Sequence, residues 1–144
     1  MFIELNLIQI LNLIQIEFTY EFKFYNKKDR AQVITEIEEI VEKHRITNVN
    51  QEYARAIGNA TKYGCFPVIC TIYIGKNNQM ICVIEDSGAG FDYKKIVSKY
   101  ESGQIYYHNR GSGIRHFAVN KYLQVDWKDK GRTIILYYNG KHKH

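Results

Sequence analysis

The sequence predicts an α+β sandwich, with helices on one face of a mixed, mostly antiparallel sheet. Three observations predict it. Residues 17–24 alternate large apolar with polar side chains, the period of a half-buried strand. Two stretches, residues 26–44 and 48–64, carry apolar residues at helical spacing. Four further strand-like runs come in two pairs, each joined by a short turn rich in glycine, asparagine or aspartate, so the partners of each pair run antiparallel.

The elements follow in order. Leu5-Asn6-Leu7-Ile8-Gln9-Ile10 is repeated at once as Leu11-Asn12-Leu13-Ile14-Gln15-Ile16. Periodicity leaves an added strand, a short helix and an upstream extension equally open, so residues 1–16 are set apart as an N-terminal extension of a core spanning 17–144. Phe18, Tyr20, Phe22 and Phe24 give the first strand one apolar face. Asn26 offers an N-cap for a helix reaching about His44, whose Val33, Ile37, Ile40 and Val41 share a face. A second helix starts after Asn48, with Gln51 in capping-box position, and ends near Gly64; Tyr53, Ala56, Ile57 and Ala60 are its buried side. Residues 66–74 and 79–86 form a hairpin about Gly75-Lys76-Asn77-Asn78. Residues 93–109 lack strong periodicity and have the composition of a flexible lid. A short helix over 112–120 and a second hairpin, 122–128 with 132–138, complete the chain.

A chain of 144 residues with 45% hydrophobic and 24% charged residues is one domain with a full core. The repeat has neither a basic leader region nor a small-residue cleavage site, and polar residues interrupt it too often for a membrane span. A cytoplasmic protein without membrane partners is the expectation. Cys65, Cys70 and Cys82 show no metal-ligand spacing, and two of them sit in apolar runs, as reduced core thiols do. The net charge of +5 is spread along the chain with no continuous basic stripe, which argues against nucleic acid and equally suits an anionic nucleotide or an acidic protein.

Three segments carry the chemistry: residues 58–64 (Gly-Asn-Ala-Thr-Lys-Tyr-Gly), 86–91 (Asp-Ser-Gly-Ala-Gly-Phe) and 110–114 (Arg-Gly-Ser-Gly-Ile). A helix offers an amide for a metal, a strand end offers a carboxylate for a base edge, and two glycine turns offer free amides to phosphates. Each segment alone is a common turn or helix start. In this order and spacing the chain, over residues 17–138, resembles the histidine-kinase-like ATPase superfamily, the ATP-binding domain of gyrase, the ninety-kilodalton heat-shock chaperone, sensor histidine kinases and anti-sigma-factor serine kinases. The implied fold is the Bergerat two-layer sandwich.

The resemblance implies residue roles and two cofactors, ATP and Mg²⁺. Asn59 matches the Mg²⁺ ligand, a neutral oxygen beside phosphates and water, and Lys62 follows it as in the sensor kinases. Asp86 matches the carboxylate that accepts from the adenine amino group; Gly88 and Gly90 make room for the base and begin the lid. Arg110, Gly111, Ser112 and Gly113 match the phosphate-binding turn at a helix start. Thr133 matches a late threonine that supports the adenine, with an ordinary strand threonine as the equal alternative.

The departure is at Arg55. Four residues before the asparagine, the active relatives carry a glutamate that activates the attacking water or hydroxyl, and a guanidinium cannot accept that proton. Glu52 replaces it only if the helix is shifted. The compact layout is closest to the stand-alone anti-sigma regulatory type, a serine or threonine kinase acting on a regulatory protein such as a sigma factor or its antagonist, and commonly a homodimer. A non-catalytic nucleotide-dependent switch and a detached catalytic domain of a histidine kinase are the alternatives.

Overall fold

In a computed structural model, residues 2–63, 65–103 and 114–140 are described. The framework is one five-stranded sheet in the order β1-β2-β3-β5-β4, comprising β1 (Ile16–Phe24), β2 (Val68–Gly75), β3 (Met80–Glu85), β4 (Leu123–Lys128) and β5 (Thr133–Tyr138). All four strand pairings are antiparallel, where the sequence predicted a mixed sheet. The only parallel contact among the described residues is a single bridge between Phe2 and Val125 on the β4 edge.

Period-two alternation then sorts side chains to two faces. Cys70, Ile72, Cys82, Ile84, Ile134, Leu136 and Tyr138 face a helical layer. That layer holds α2 (Asp29–Lys43), through Val33, Ile37 and Ile40, and α3 (Glu52–Tyr63), through Tyr53, Ala56, Ile57 and Ala60. The predicted faces of both helices are therefore the buried ones. A shorter helix, α5 (Ile114–Ala118), contributes Ile114 and Phe117.

The opposite face carries the main departure from the sequence reading, because it too is covered by a helix. The repeat folds into α1 (Leu7–Ile14), and Leu5, Ile10 and Ile14 pack on Ile81, Val83, Ile135 and Tyr137. Asn6 caps α1, its side chain accepting from the Gln9 N–H at 3.1 Å. The extension touches the β4 edge with its first residues and covers a sheet face with α1. Each of its three buried side chains contributes roughly 1.5–3 kcal/mol by leaving water. Deleting residues 1–16 should therefore strip an apolar layer from Ile81 and Ile135 and lower the thermal midpoint by well over about 10 °C, on a scale of ~4 °C or more per kcal/mol. A deletion protein that melts like the full chain would show that this layer is dispensable.

The segment expected as a lid also differs. Its first part is a helix, α4 (Tyr93–Glu101), capped by the Asp92 side chain accepting from the Lys95 N–H at 3.1 Å. Tyr93, Ile96, Val97 and Tyr100 lean on the core. Residues 104–109 lie outside the described residues. Among the described residues no helix is long and apolar enough to cross a membrane. Cys65 is exposed, and Cys70 and Cys82 are buried free thiols.

Candidate functional site

The turn after β3 and the turn between β4 and β5 lock together beside α3. Asp86 N–H donates to the Arg132 carbonyl at 2.9 Å, and Phe91 N–H donates to the Lys130 carbonyl at 3.0 Å. Two glycines make this approach possible. Gly90, at φ +81°, lies so close that a Cβ there would collide with the Lys130 carbonyl oxygen. Gly131, at φ +86°, would bring a Cβ within 2.6 Å of the Phe91 ring. The tight turn Asp129–Gly131 is held by Arg132, whose guanidinium bonds Asp129 Oδ1 at 2.8 Å. That bond holds the Asp129 carboxyl below its usual range and raises the guanidinium's own pKa, with Asp86 adding to the rise.

Gly90→Ala is accordingly expected to destabilise the fold by about 2–4 kcal/mol, from left-handed strain and the backbone collision. Gly58→Ala should instead stabilise by about 0.5–1 kcal/mol, because a Cβ at that helical position meets nothing within 4 Å. Denaturant midpoints of the two variants check both signs.

A cleft lies between α3 and this double turn. Ala56, Asn59 and Ala60 from α3, Ile84 and Asp86 from β3, Phe91, and Gly131, Arg132 and Ile134 from the second hairpin line it, with Phe117 and Trp127 as its floor. Asp86 is buried, and its Oδ1 accepts from the Gly88 N–H at 2.8 Å, which fixes the orientation of the carboxylate. Asn59 and Asp86 thus line one cleft, and Gly88 and Gly90 lie in the turn that follows Asp86.

The cleft is closed. It leaves about 20 Å³, room for one water rather than a base. Aromatic rings crowd it: Phe91 and Phe117 meet Trp127 edge-on at 6.1 and 6.2 Å, and outside the cleft Tyr93 and Phe2 stack on Trp127 at 5.9 and 5.8 Å. Anything larger than a water would require Phe91 and its neighbours to part.

Two of the implied site residues stand elsewhere. Thr133 pairs with Glu85, so it shares the sheet face opposite α3 and does not line the cleft; Arg132 stands there instead. Glu52 is 2% exposed and committed to the core, its Oε1 accepting from the Tyr138 hydroxyl at 3.0 Å and the Asn50 N–H at 2.9 Å. It stands in the first turn of α3, where its side chain turns inward instead of joining the stripe of Arg55 and Lys62. The helix is therefore not shifted to bring Glu52 into the base position. Arg110, Gly111, Ser112 and Gly113 lie outside the described residues.

Arg55 and Lys62 line a second, open groove of about 480 Å³ along α2 and α3. Asn59 lines both groove and cleft, so the two adjoin. Arg30 on α2 also lines the groove, a residue the sequence reading missed because its neighbours in space lie more than twenty positions along the chain. His116 on α5 lies in the same field: burial lowers its pKa first, then Arg55 and Arg115, with Glu52 opposing.

Among the described residues no group of three or more His, Cys, Asp or Glu side chains could hold a metal ion. A Mg²⁺ ion here would take the Asn59 amide from the protein and its other ligands from phosphate and water, which is how Mg²⁺ is commonly bound. Comparison of the chain with protein-family models, with curated proteins and with solved structures gives no match.

Proposed function

We propose that this is an ATP-binding regulatory protein of the histidine-kinase-like, Bergerat type, nearest to the stand-alone anti-sigma-factor kinases. One observation carries the reading. Asn59, Asp86 and the Gly131 turn, separated by up to seventy-two positions, line a single cleft, and cations line the groove that adjoins it at Asn59. That is the layout a base, a Mg²⁺ ion and a phosphate chain need in sequence. Bound Mg²⁺ would neutralise phosphate charge, and the chain's own contribution is placement: Asp86 orients the base, Asn59 the metal, and the groove the phosphates.

Within this reading the switch is favoured over the kinase. Arg55 stands one turn before Asn59 and cannot act as a base, and Glu52, three residues earlier on the same helix, is committed to Tyr138. Nucleotide binding would move Phe91 and α4, and so present a changed surface to a partner such as a sigma factor or its antagonist. A second copy of the chain fits the outer side of α1, where Ile8 and Leu13 are 73% and 71% exposed. Ile8→Lys with Leu13→Lys should then halve the mass in solution while leaving nucleotide binding intact.

Calorimetric titration with ATP, ADP and GTP, with and without Mg²⁺, tests the reading. Mg-ATP should bind and turn over barely or not at all, and Arg55→Glu should raise turnover. No ATP binding in a folded protein would end the nucleotide reading, and rapid wild-type turnover would end the switch.

A further inference from the structure

The groove beside the cleft is built from two helices that supply only one sign of charge. Arg30 comes from α2, Arg55 and Lys62 from α3, and Asn59, Gly58 and Tyr63 complete the wall where the groove meets the cleft. No carboxylate lines it, and among the described residues none of the three cations takes part in an ion pair. Like charges gathered on one wall repel one another, and a bound polyanion would relieve that repulsion. The groove's volume of about 480 Å³ falls in the usual range for small ligands, whereas the cleft as it stands admits only a water.

We propose that Arg30, Arg55 and Lys62 form an oligophosphate clamp, which engages a chain of phosphates before the aromatic cleft opens to a base. Two guanidiniums and an ammonium suit this ligand, since guanidinium forks bind phosphate oxygens in pairs and the ammonium adds a mobile point charge. Arg55 is then a binding residue at the place where a base would stand, and the site distinguishes nucleotides by the number of their phosphates. This takes the nucleotide reading further and rests on it only for the source of the phosphates. Free oligophosphate has the same chemistry.

Inorganic tripolyphosphate is the probe, titrated calorimetrically into the full chain. It should bind, and more tightly than pyrophosphate or orthophosphate. Arg30→Gln and Arg55→Gln, on different helices, should each weaken it severalfold and together at least tenfold. Lys76→Gln, which removes the same charge in the β2–β3 turn, should change it less than twofold. Bound tripolyphosphate should also raise the His116 pKa, read by NMR, because it offsets the field of Arg55 and Arg115, which Glu52 opposes. Absence of tripolyphosphate binding, or equal weakening by Lys76→Gln, overturns the clamp. The two sources separate as follows. ATP binding more tightly than tripolyphosphate, with the difference lost in Asp86→Ala, identifies a nucleotide tail; ATP binding no more tightly keeps the clamp and removes the nucleotide reading.

Discussion

Asp86→Ala is expected to weaken ATP binding at least tenfold. The carboxylate is buried at the end of an apolar strand, and its place is set by the Gly88 N–H at 2.8 Å and by its own backbone bond to Arg132. Losing a hydrogen bond to a charged group costs roughly 1.5–3 kcal/mol, which is a factor of about ten or more in affinity. Because alanine also removes the acceptor that holds Gly88, Asp86→Asn is the companion variant. It keeps an oxygen for the turn but replaces the charge, so it should fold normally and still bind ATP more weakly. Full ATP affinity in both folded variants would dissociate the cleft from nucleotide binding. Loss of binding together with loss of the thermal transition in alanine alone would assign the effect to the turn.

Raising the pH above about 10 should unfold the protein cooperatively. Burial pushes the Tyr53 hydroxyl from 10.0 up to about 12 and the Cys70 thiol from 9.0 up to about 12. Burial also raises Cys82 and Tyr138 well above their ordinary values, and the nearby Glu52 adds to both. In each case the folded value lies above the unfolded one. The neutral forms thus contribute their full stability below about pH 9, and it is lost as pH climbs toward the raised values, because the unfolded chain releases its protons first. Each pKa unit is worth about 1.4 kcal/mol. Several such groups together are comparable with a domain's whole stability, on the order of 5–15 kcal/mol. Tyrosinate absorbance and helical circular dichroism should change in one transition. Gradual ionisation with the helical signal intact would show that these side chains are not buried as described.

The parts of the fold legible in the sequence are those fixed by local pattern. The alternation of Phe18, Tyr20, Phe22 and Phe24 gave β1, the spacing of Val33, Ile37 and Ile40 gave the buried side of α2, and Asp129-Lys130-Gly131 marked the turn between β4 and β5. The repeat shows where pattern stops. Its two copies are identical, yet Asn6 caps a helix while Asn12 lies within it, and Gln9 is helical while Gln15 is left-handed at φ 53°. Only the neighbouring sheet distinguishes them.

The site divides in the same way. Asn59 and Asp86 meet as their segments imply, because a helix end and a strand end are rigid. For Thr133 the two readings were equal from the sequence, and its place beside Glu85 favours the strand threonine, because one position along a strand sends a side chain to the other face. Glu52 was misjudged because a carboxylate in a helix's first turn reads as solvated, and nothing local announces Tyr138, eighty-six residues later. Arg30 and Trp127 reach the site only through tertiary packing, so no spacing rule could have found them.

The path of the first twenty-four residues has a consequence for how the chain is made. Residues 2–5 lie against the β4 edge, with Ile3 N–H donating to the Val125 carbonyl at 3.2 Å and Leu5 N–H to the Asp126 carboxylate at 2.9 Å; α1 then crosses the outer face to reach β1 at the other edge. The surfaces that receive this strap include β3, β5 and the edge of β4, and β4 and β5 lie more than a hundred residues after α1. A nascent chain therefore holds twelve uncharged, mostly apolar residues, 5–16, without their full seat until β5 (Thr133–Tyr138) has been translated. Such a segment needs shielding by a chaperone or rapid synthesis of the strands between, and α1 settles on its sheet face only once β5 is made.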